Sequence, residues 1–177
     1  LGFAGRYAKQ KNIPSLLNAF SIITKTYSNL YLCMAGKNIN KDNKELNNLI
    51  EYYKIQDKVK LLNEKKNLVE FYNGIDLLIL TSHSESFPNV VAESMLCSTP
   101  VLSSDAGCAK KIIDNYGFIF NDNKQEVLIQ ELKKIINLFI NNKSEWQSLK
   151  KKSRLHIKNN FSISNMADSY LKKWIFK

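Results

Sequence analysis

Ile75-Asp76-Leu77-Leu78-Ile79-Leu80 runs into Thr81-Ser82-His83-Ser84-Glu85-Ser86-Phe87-Pro88-Asn89-Val90-Val91-Ala92-Glu93-Ser94-Met95-Leu96-Cys97, and then into Ser98-Thr99-Pro100-Val101-Leu102-Ser103. The first run is apolar except for Asp76, as befits a strand covered on both faces. A polar loop follows, then a helical stretch over Val90 to Cys97, stopped by Ser98-Thr99-Pro100 ahead of a second short strand, Val101 to Ser103. The unit reads strand, loop, helix, strand. Upstream, Leu1 to Gly5, Leu30 to Ala35 and Val59 to Leu62 read as strands. Pro14 suits a first helical turn, and Leu16, Leu17, Phe20 and Ile23 share one helical face. Leu46, Leu49, Ile50 and Tyr53 repeat that spacing, and Leu68 to Tyr72 gives a short helix. Downstream come a strand at Gly117 to Phe120 and helices over Val127 to Ile140, Glu145 to Ile157 and Ser162 to Ile175. Alternation of this kind predicts an α/β fold: a Rossmann-like, doubly wound parallel sheet of about six strands, helices on both faces, and a helical C-terminal tail. Ligands of such sheets sit outside the carboxyl ends of the strands, so site residues are sought in the loops just after strands.

The 177 residues show no repeat, low-complexity tract or linker, which predicts a single domain over 1–177 with residues 143–177 as a basic helical tail. Hydrophobic residues make up 44% and charged residues 24%, a globular balance that excludes disordered and fibrous classes. No apolar run approaches the roughly 18 to 20 residues of a membrane span. Leu1 to Arg6 enters strand-like sequence at once, with neither a targeting segment nor an initiator Met, as expected of a piece of a longer chain. Three cysteines without paired spacing and two histidines fit a reducing compartment better than disulfides or zinc.

The net charge of +10 is unevenly placed: residues 143–177 hold nine Lys+Arg against two Asp+Glu, and the first 142 hold 17 against 14. A basic tail reads as attraction to phosphates on nucleic acid or an anionic membrane, or equally as a solvated lysine face. Only two of the 26 basic residues are Arg. Arg6 therefore stands out, because its fork binds oxyanions in a bidentate way that Lys lacks.

Two clusters follow strands. In Gly5-Arg6-Tyr7-Ala8-Lys9-Gln10-Lys11-Asn12, Arg6 and Lys11 flank a loop that leads into a helix N-terminus, where side chains and N–H groups can converge on a phosphate. The Walker pattern is missing, and a solvated basic loop explains the cluster as well. In Ser82 to Glu93, Glu85 lies in the loop and Glu93 in the first turns of the helix, and the backbone N–H groups of Phe87, Pro88, Asn89 and Val90 are read as donors towards the same crevice. That set suits a ligand with both sugar hydroxyls and phosphate; from spacing alone, a loop carboxylate and a surface helix residue remain equally open. His83 has no partner at triad or ligand spacing and reads as an ordinary loop histidine. Cys33 and Cys97 read as core, and nothing marks Cys108 as a nucleophile.

Gly5-Arg6 with Lys11, together with Glu85-x7-Glu93 in Glu-Ser-Phe-Pro-Asn-Val-Val-Ala-Glu-Ser-Met, resembles the family 4 glycosyltransferases of GT-B fold. Thr99-Pro100-Val101 and Ser104-Asp105-Ala106-Gly107 extend the resemblance, which covers nearly the whole chain. It implies the C-terminal, nucleotide-sugar-binding half of a retaining glycosyltransferase that uses no metal or other cofactor. It further implies that Arg6 and Lys11 hold the donor diphosphate and stabilise its growing charge, with Glu85 at the donor sugar and Glu93 at the ribose. Backbone N–H groups over Phe87, Pro88, Asn89 and Val90 would reach sugar hydroxyls and phosphate, and the base would lie near Leu62 and Asn63. Ser86 and Ser98 stand where the family commonly has Gly, and Lys111 where it commonly has Glu.

The resulting expectation is transfer of a sugar from a UDP- or GDP-linked donor to a glycan or lipid-linked acceptor. The acceptor domain is absent from this chain, so the chain by itself is expected to bind donor without transferring. Polysaccharide assembly at the cytoplasmic face of a membrane is the implied setting, with the basic tail suited to peripheral contact. Two alternatives are a nucleotide-sugar epimerase of the same architecture, for which acid and base residues are not identifiable, and a basic nucleic-acid-binding module. The latter ranks lowest, because Trp146, Phe161, Tyr170 and Trp174 fall at helix-packing intervals. In the resembled family the last helix packs on the N-terminal domain, so the stripe Ile163, Met166, Tyr170 and Trp174 is expected to lie partly exposed here.

Overall fold

The computed structural model describes residues 1–121 and 124–175. Six strands, β1 (Gly2–Ala4), β2 (Leu32–Ala35), β3 (Val59–Leu61), β4 (Leu78–Leu80), β5 (Val101–Ser104) and β6 (Phe118–Phe120), form one sheet in the order β3-β2-β1-β4-β5-β6. Every pairing is parallel, and Gly2 of β1 aligns with both Cys33 of β2 and Leu78 of β4. The α/β, doubly wound expectation therefore holds. The chain builds outward from β1 to β3, then returns to the other side of β1 to lay down β4, which opens a crevice at the carboxyl ends of β1 and β4.

Helices cover both faces. On one, α1 (Ile13–Ile23), α2 (Lys44–Tyr52) and α6 (Gln125–Asn141) bury Leu16, Leu17, Phe20, Leu46, Leu132 and Ile136 against Phe3, Met34 and Ile79. On the other, α3 (Val69–Asn73), α4 (Asn89–Leu96), α5 (Ala109–Ile113) and α7 (Lys143–Asn160) pack Tyr72, Val91, Met95, Ile112 and Ile157 against Ala4, Leu78, Leu80 and Val101. Alternate residues of β4 thus serve opposite layers, and this explains its nearly unbroken apolar sequence.

Helix α5 departs from the sequence reading, which joined β5 directly to β6. Its five residues are too short to display a helical period, yet a parallel β5–β6 pair requires a crossover and α5 supplies it. The termini of α4 are also informative. Ser98 follows the helix at φ 62°, the left-handed position that glycine favours, which accounts for its standing where the resembled family carries Gly. The second arginine, Arg154, reaches from α7 to donate through Nη1 to the Leu96 carbonyl at 3.0 Å, capping the same end.

The tail splits in character. Trp146 is buried and meets Phe139 edge-on at 5.3 Å, so α7 is packed as its spacing predicts. Helix α8 (Ile163–Ile175) keeps its helical backbone, but Ile163, Met166, Tyr170, Leu171 and Trp174 are all exposed, Trp174 at 81%. Helical spacing places Tyr170 and Trp174 on one stripe without burying either. No helix among the described residues is long and apolar enough to cross a membrane.

Candidate functional site

The two clusters met in the sequence lie at the crevice between β1 and β4. Strand β1 ends at Ala4, and Gly5 to Ala8 lead through a 3-10 turn, Lys9–Lys11, into α1. Strand β4 ends at Leu80, and residues 81–88 lead into α4. The loops are stitched together. Thr81 donates through Oγ1 to the carbonyls of Lys11 (3.0 Å) and Asn12 (3.2 Å), and the His83 N–H donates to the Gln10 carbonyl at 2.8 Å.

This brings Lys11 and Glu85, 74 positions apart, into an ion pair. Lys11 Nζ lies 2.6 Å from Glu85 Oε1, and the two side chains are only 12% and 10% exposed. Ser82, itself buried, donates through Oγ to the same Oε1 at 2.6 Å. One oxygen of Glu85 thus takes both donors. The surrounding backbone fixes this loop from the β5 side as well: Ser104 Oγ donates to the Ser82 carbonyl at 2.6 Å, and the Cys108 N–H to the Ser86 carbonyl at 3.2 Å. Gly107, at φ 58°, comes so close that a Cβ there would stand 1.9 Å from the Glu85 carbonyl oxygen. Only glycine permits that approach.

Arg6 is exposed and forms no ion pair among the described residues, so its guanidinium faces solvent beside the crevice. Tyr7, next to it, anchors the loop by donating its N–H to the Lys37 carbonyl. Partial burial, reinforced by the neighbouring Glu45 carboxylate, pushes the Tyr7 phenol up to about 12.

Glu93 is held differently. It lies on α4, where Tyr72 of α3 donates its phenolic hydroxyl to Glu93 Oε2 at 2.8 Å. Tyr72 is 1% exposed, and burial first, then the bond to Glu93, raise its pKa well above the ordinary tyrosine range. Glu93 and Tyr72 border a groove of about 330 Å³ whose other wall carries Lys65, Lys66, Leu68 and Val69, from the loop after β3 and the start of α3.

Leu62 and Asn63 lie just past β3, two strands from the crevice. They join it indirectly: the Gly36 N–H donates to the Asn63 carbonyl at 2.9 Å, and a Cβ on Gly36 would stand 2.0 Å from the Gly5 carbonyl oxygen. Among Phe87, Pro88, Asn89 and Val90 the expectation of four donors needs correction. Pro88 has no N–H and serves instead as the N-cap of α4, its carbonyl accepting from Val91 at 3.0 Å, so the donors reduce to Phe87, Asn89 and Val90. The Phe87 ring is half exposed and lies 6.3 Å from that of Phe161.

Tyr72 and Ser82 were not singled out in the sequence. Tyr72 reads as one more apolar residue of a short helix, and the signal that could have found it is chemical: a buried phenol needs an acceptor. His83 is exposed, as an ordinary loop residue would be. The other histidine, His156, is spent on structure, with Nε2 2.9 Å from the Ile112 carbonyl oxygen and its ring stacked on Tyr116. Cys33, Cys97 and Cys108 are free thiols and partly buried.

Known proteins share this fold. The chain is 23% identical over 182 residues to the capsular polysaccharide biosynthesis glycosyltransferase CapM of Staphylococcus aureus, an alignment covering 98% of this chain and 47% of CapM. Among solved structures, a glycosyltransferase from Rickettsia africae superposes with a TM-score of 0.84 at 22% identity, over 97% of this chain and 46% of that one. The Anabaena protein HepE, solved in complex with UDP-glucose, gives 0.79 at 21%, over 97% and 48% respectively. The chain thus spans about half the length of these proteins. Its residues 1–160 match the family model described as glycosyl transferases group 1, and with a match over most of its length the chain belongs to that family.

Proposed function

We propose that this chain is the donor-binding half of a retaining, family 4 glycosyltransferase. It takes a UDP- or GDP-linked sugar and, with an acceptor-binding half supplied by the rest of the enzyme, passes that sugar to a glycan or lipid-linked acceptor. The carrying observation is the convergence of the Arg6–Lys11 loop and the Glu85 loop at the β1/β4 crevice, sealed by the 2.6 Å Lys11–Glu85 contact. The UDP-glucose bound by the HepE neighbour and the capsular role named for CapM support it.

Breaking the glycosidic bond of such a donor leaves charge on a nucleoside diphosphate, and the chemistry needs that charge stabilised where it develops. Arg6 and Lys11 do this without a metal: Arg6 is free to fork onto a phosphate, and Lys11 turns from Glu85 towards the leaving group. The N–H groups of Phe87, Asn89 and Val90 add donors at the start of α4. Glu85, once released by Lys11, accepts from hydroxyls of the donor sugar. Glu93 accepts from the ribose, and the base lies along the segment that begins at Leu62 and Asn63, whose continuation at Lys65 and Lys66 faces Glu93 across one groove. The reaction belongs to the cytoplasmic face of a membrane, where the basic α7 surface assists peripheral contact.

Calorimetric titration with UDP, GDP, uridine and guanosine tests this reading. Arg6→Ala is expected to weaken the diphosphate about ten-fold or more, since a hydrogen bond to a charged group is worth about 1.5 to 3 kcal/mol, and to leave the matching nucleoside unchanged. Equal losses for both ligands would remove Arg6 from the phosphate site.

A further inference from the structure

Glu93 occupies an exposed position on α4, where a glutamate ordinarily samples several rotamers and holds none. Here it does not stand alone. The phenol of Tyr72 comes up from beneath α4, almost wholly buried, and ends 2.8 Å from Glu93 Oε2. Tyr72 is in turn fixed at every polar atom. Its N–H donates to the Leu68 carbonyl at 2.8 Å, and its carbonyl accepts from Thr99 Oγ1 at 2.7 Å. The Thr99 carbonyl accepts from Ser94 Oγ at 3.0 Å, and Ser94 is the neighbour of Glu93 in the chain. The network closes on itself: Glu93 to Tyr72, Tyr72 to Thr99, Thr99 to Ser94, and back along α4 to Glu93.

We infer that Tyr72 is a positioning residue for Glu93, holding one carboxylate oxygen, Oε2, so that Oε1 alone is presented to the ribose of the bound nucleotide. The inference rests on the proposed ribose role of Glu93 and goes beyond it by naming what makes that carboxylate selective. A carboxylate free to rotate offers either oxygen and pays rotamer entropy when a ligand binds; one fixed by a buried donor has that ordering built in. Burial raises the pKa of the phenol, which favours the protonated, donating form. A bond that served only to satisfy the phenol would not distinguish between ligands with and without ribose hydroxyls.

The test is calorimetric titration of the protein with UDP and GDP and with their 2′,3′-dideoxy forms, for the native sequence, Tyr72→Phe, Glu93→Gln and the double variant. Tyr72→Phe removes one oxygen and keeps the ring that fills the core. It is expected to weaken the ribonucleotide about ten-fold and the dideoxy form by less than about two-fold, a loss in the range of one charge-assisted hydrogen bond. Added to Glu93→Gln it should cost nothing further, because the two act as a unit. Glu93→Asp, which keeps the charge but withdraws the carboxylate from phenol and ribose alike and leaves the buried hydroxyl without its acceptor, should reproduce the pattern with the Tyr72 side chain intact. If Glu93→Gln lowers ribose discrimination and neither Tyr72→Phe nor Glu93→Asp does, the positioning role is wrong and the ribose reading stands. If Glu93→Gln leaves discrimination intact, both fall.

Discussion

Replacing Glu85 by Gln should tighten the binding of a nucleoside diphosphate while weakening that of its sugar conjugate. Lys11 Nζ lies 2.6 Å from Glu85 Oε1. A phosphate oxygen taking up a hydrogen bond to the same ammonium comes within roughly 5 Å of the carboxylate. At an effective dielectric of about 20, two like charges at that distance repel by about 3 kcal/mol, and screening by water and ions at the open crevice removes roughly half. Removing the negative charge should therefore raise UDP or GDP affinity about ten-fold, a gain of about 1.4 kcal/mol. The cost appears in stability. Gln still offers an acceptor to Lys11 and Ser82, but the Lys11 ammonium loses its counter-charge and the Ser82 bond becomes neutral, a loss of about 1 kcal/mol. Titration calorimetry and urea denaturation of the same samples read the two effects side by side. Unchanged or weaker diphosphate affinity, with the fold intact, would show that Lys11 does not serve the phosphate and would dismantle the exchange of partners on which the mechanism depends.

Ser98→Gly should stabilise the fold by about 1 kcal/mol, because Ser98 holds a left-handed conformation that glycine adopts without steric cost. For a chain of this size that is a rise of about 2 to 4 °C in melting temperature, and no rise would mean that the hydroxyl makes a compensating contribution. Tyr7 carries a pH signature. A phenol whose pKa is raised in the folded state contributes stability that is complete below the unfolded value of 10 and lost as pH climbs towards about 12. Denaturation across that window should show a shallower decline in Tyr7→Phe than in the native protein, and parallel curves would dissociate Tyr7 from the alkaline transition.

What the sequence disclosed and what it concealed divide along physical lines. The parallel sheet was legible because strand and helix periods alternate over the whole chain, and β4 announced its central place by lacking a polar face. Helix α5 was concealed, since Ala109–Ile113 is barely more than one turn, too short for its buried Ala109, Ile112 and Ile113 to display a helical period. Arg6 was legible through rarity, and Lys11 and Glu85 through their position after strands, with their roles read only from the family resemblance; the structure brings Lys11 and Glu85 into contact. The manner of that contact was not legible: nothing in spacing says that a lysine 74 residues away and a serine three residues away would share one oxygen of Glu85. Tyr72 was concealed for the opposite reason. Its ring obeys the apolar pattern of a core helix, and only its hydroxyl, whose acceptor lies 21 residues further on, betrays a second role.

The two carboxylates are built to behave differently when a ligand arrives. Glu85 is held mainly by Lys11, a charged group at the rim of the crevice that is itself assigned to the ligand, so its principal restraint is removable by the molecule it receives. Glu93 is held by Tyr72, a neutral and buried donor fixed by Thr99 and by the backbone of α3, a restraint that carries no charge for an arriving phosphate to compete for. With the roles proposed above, the nucleoside end of the site is formed in advance, and adjustment falls to the end where the sugar and the diphosphate would meet. That is also where charge appears as the glycosidic bond breaks. A lysine that leaves a carboxylate for the departing phosphate frees an acceptor for the sugar in the same movement, so one exchange of partners readies both sides of the bond that breaks.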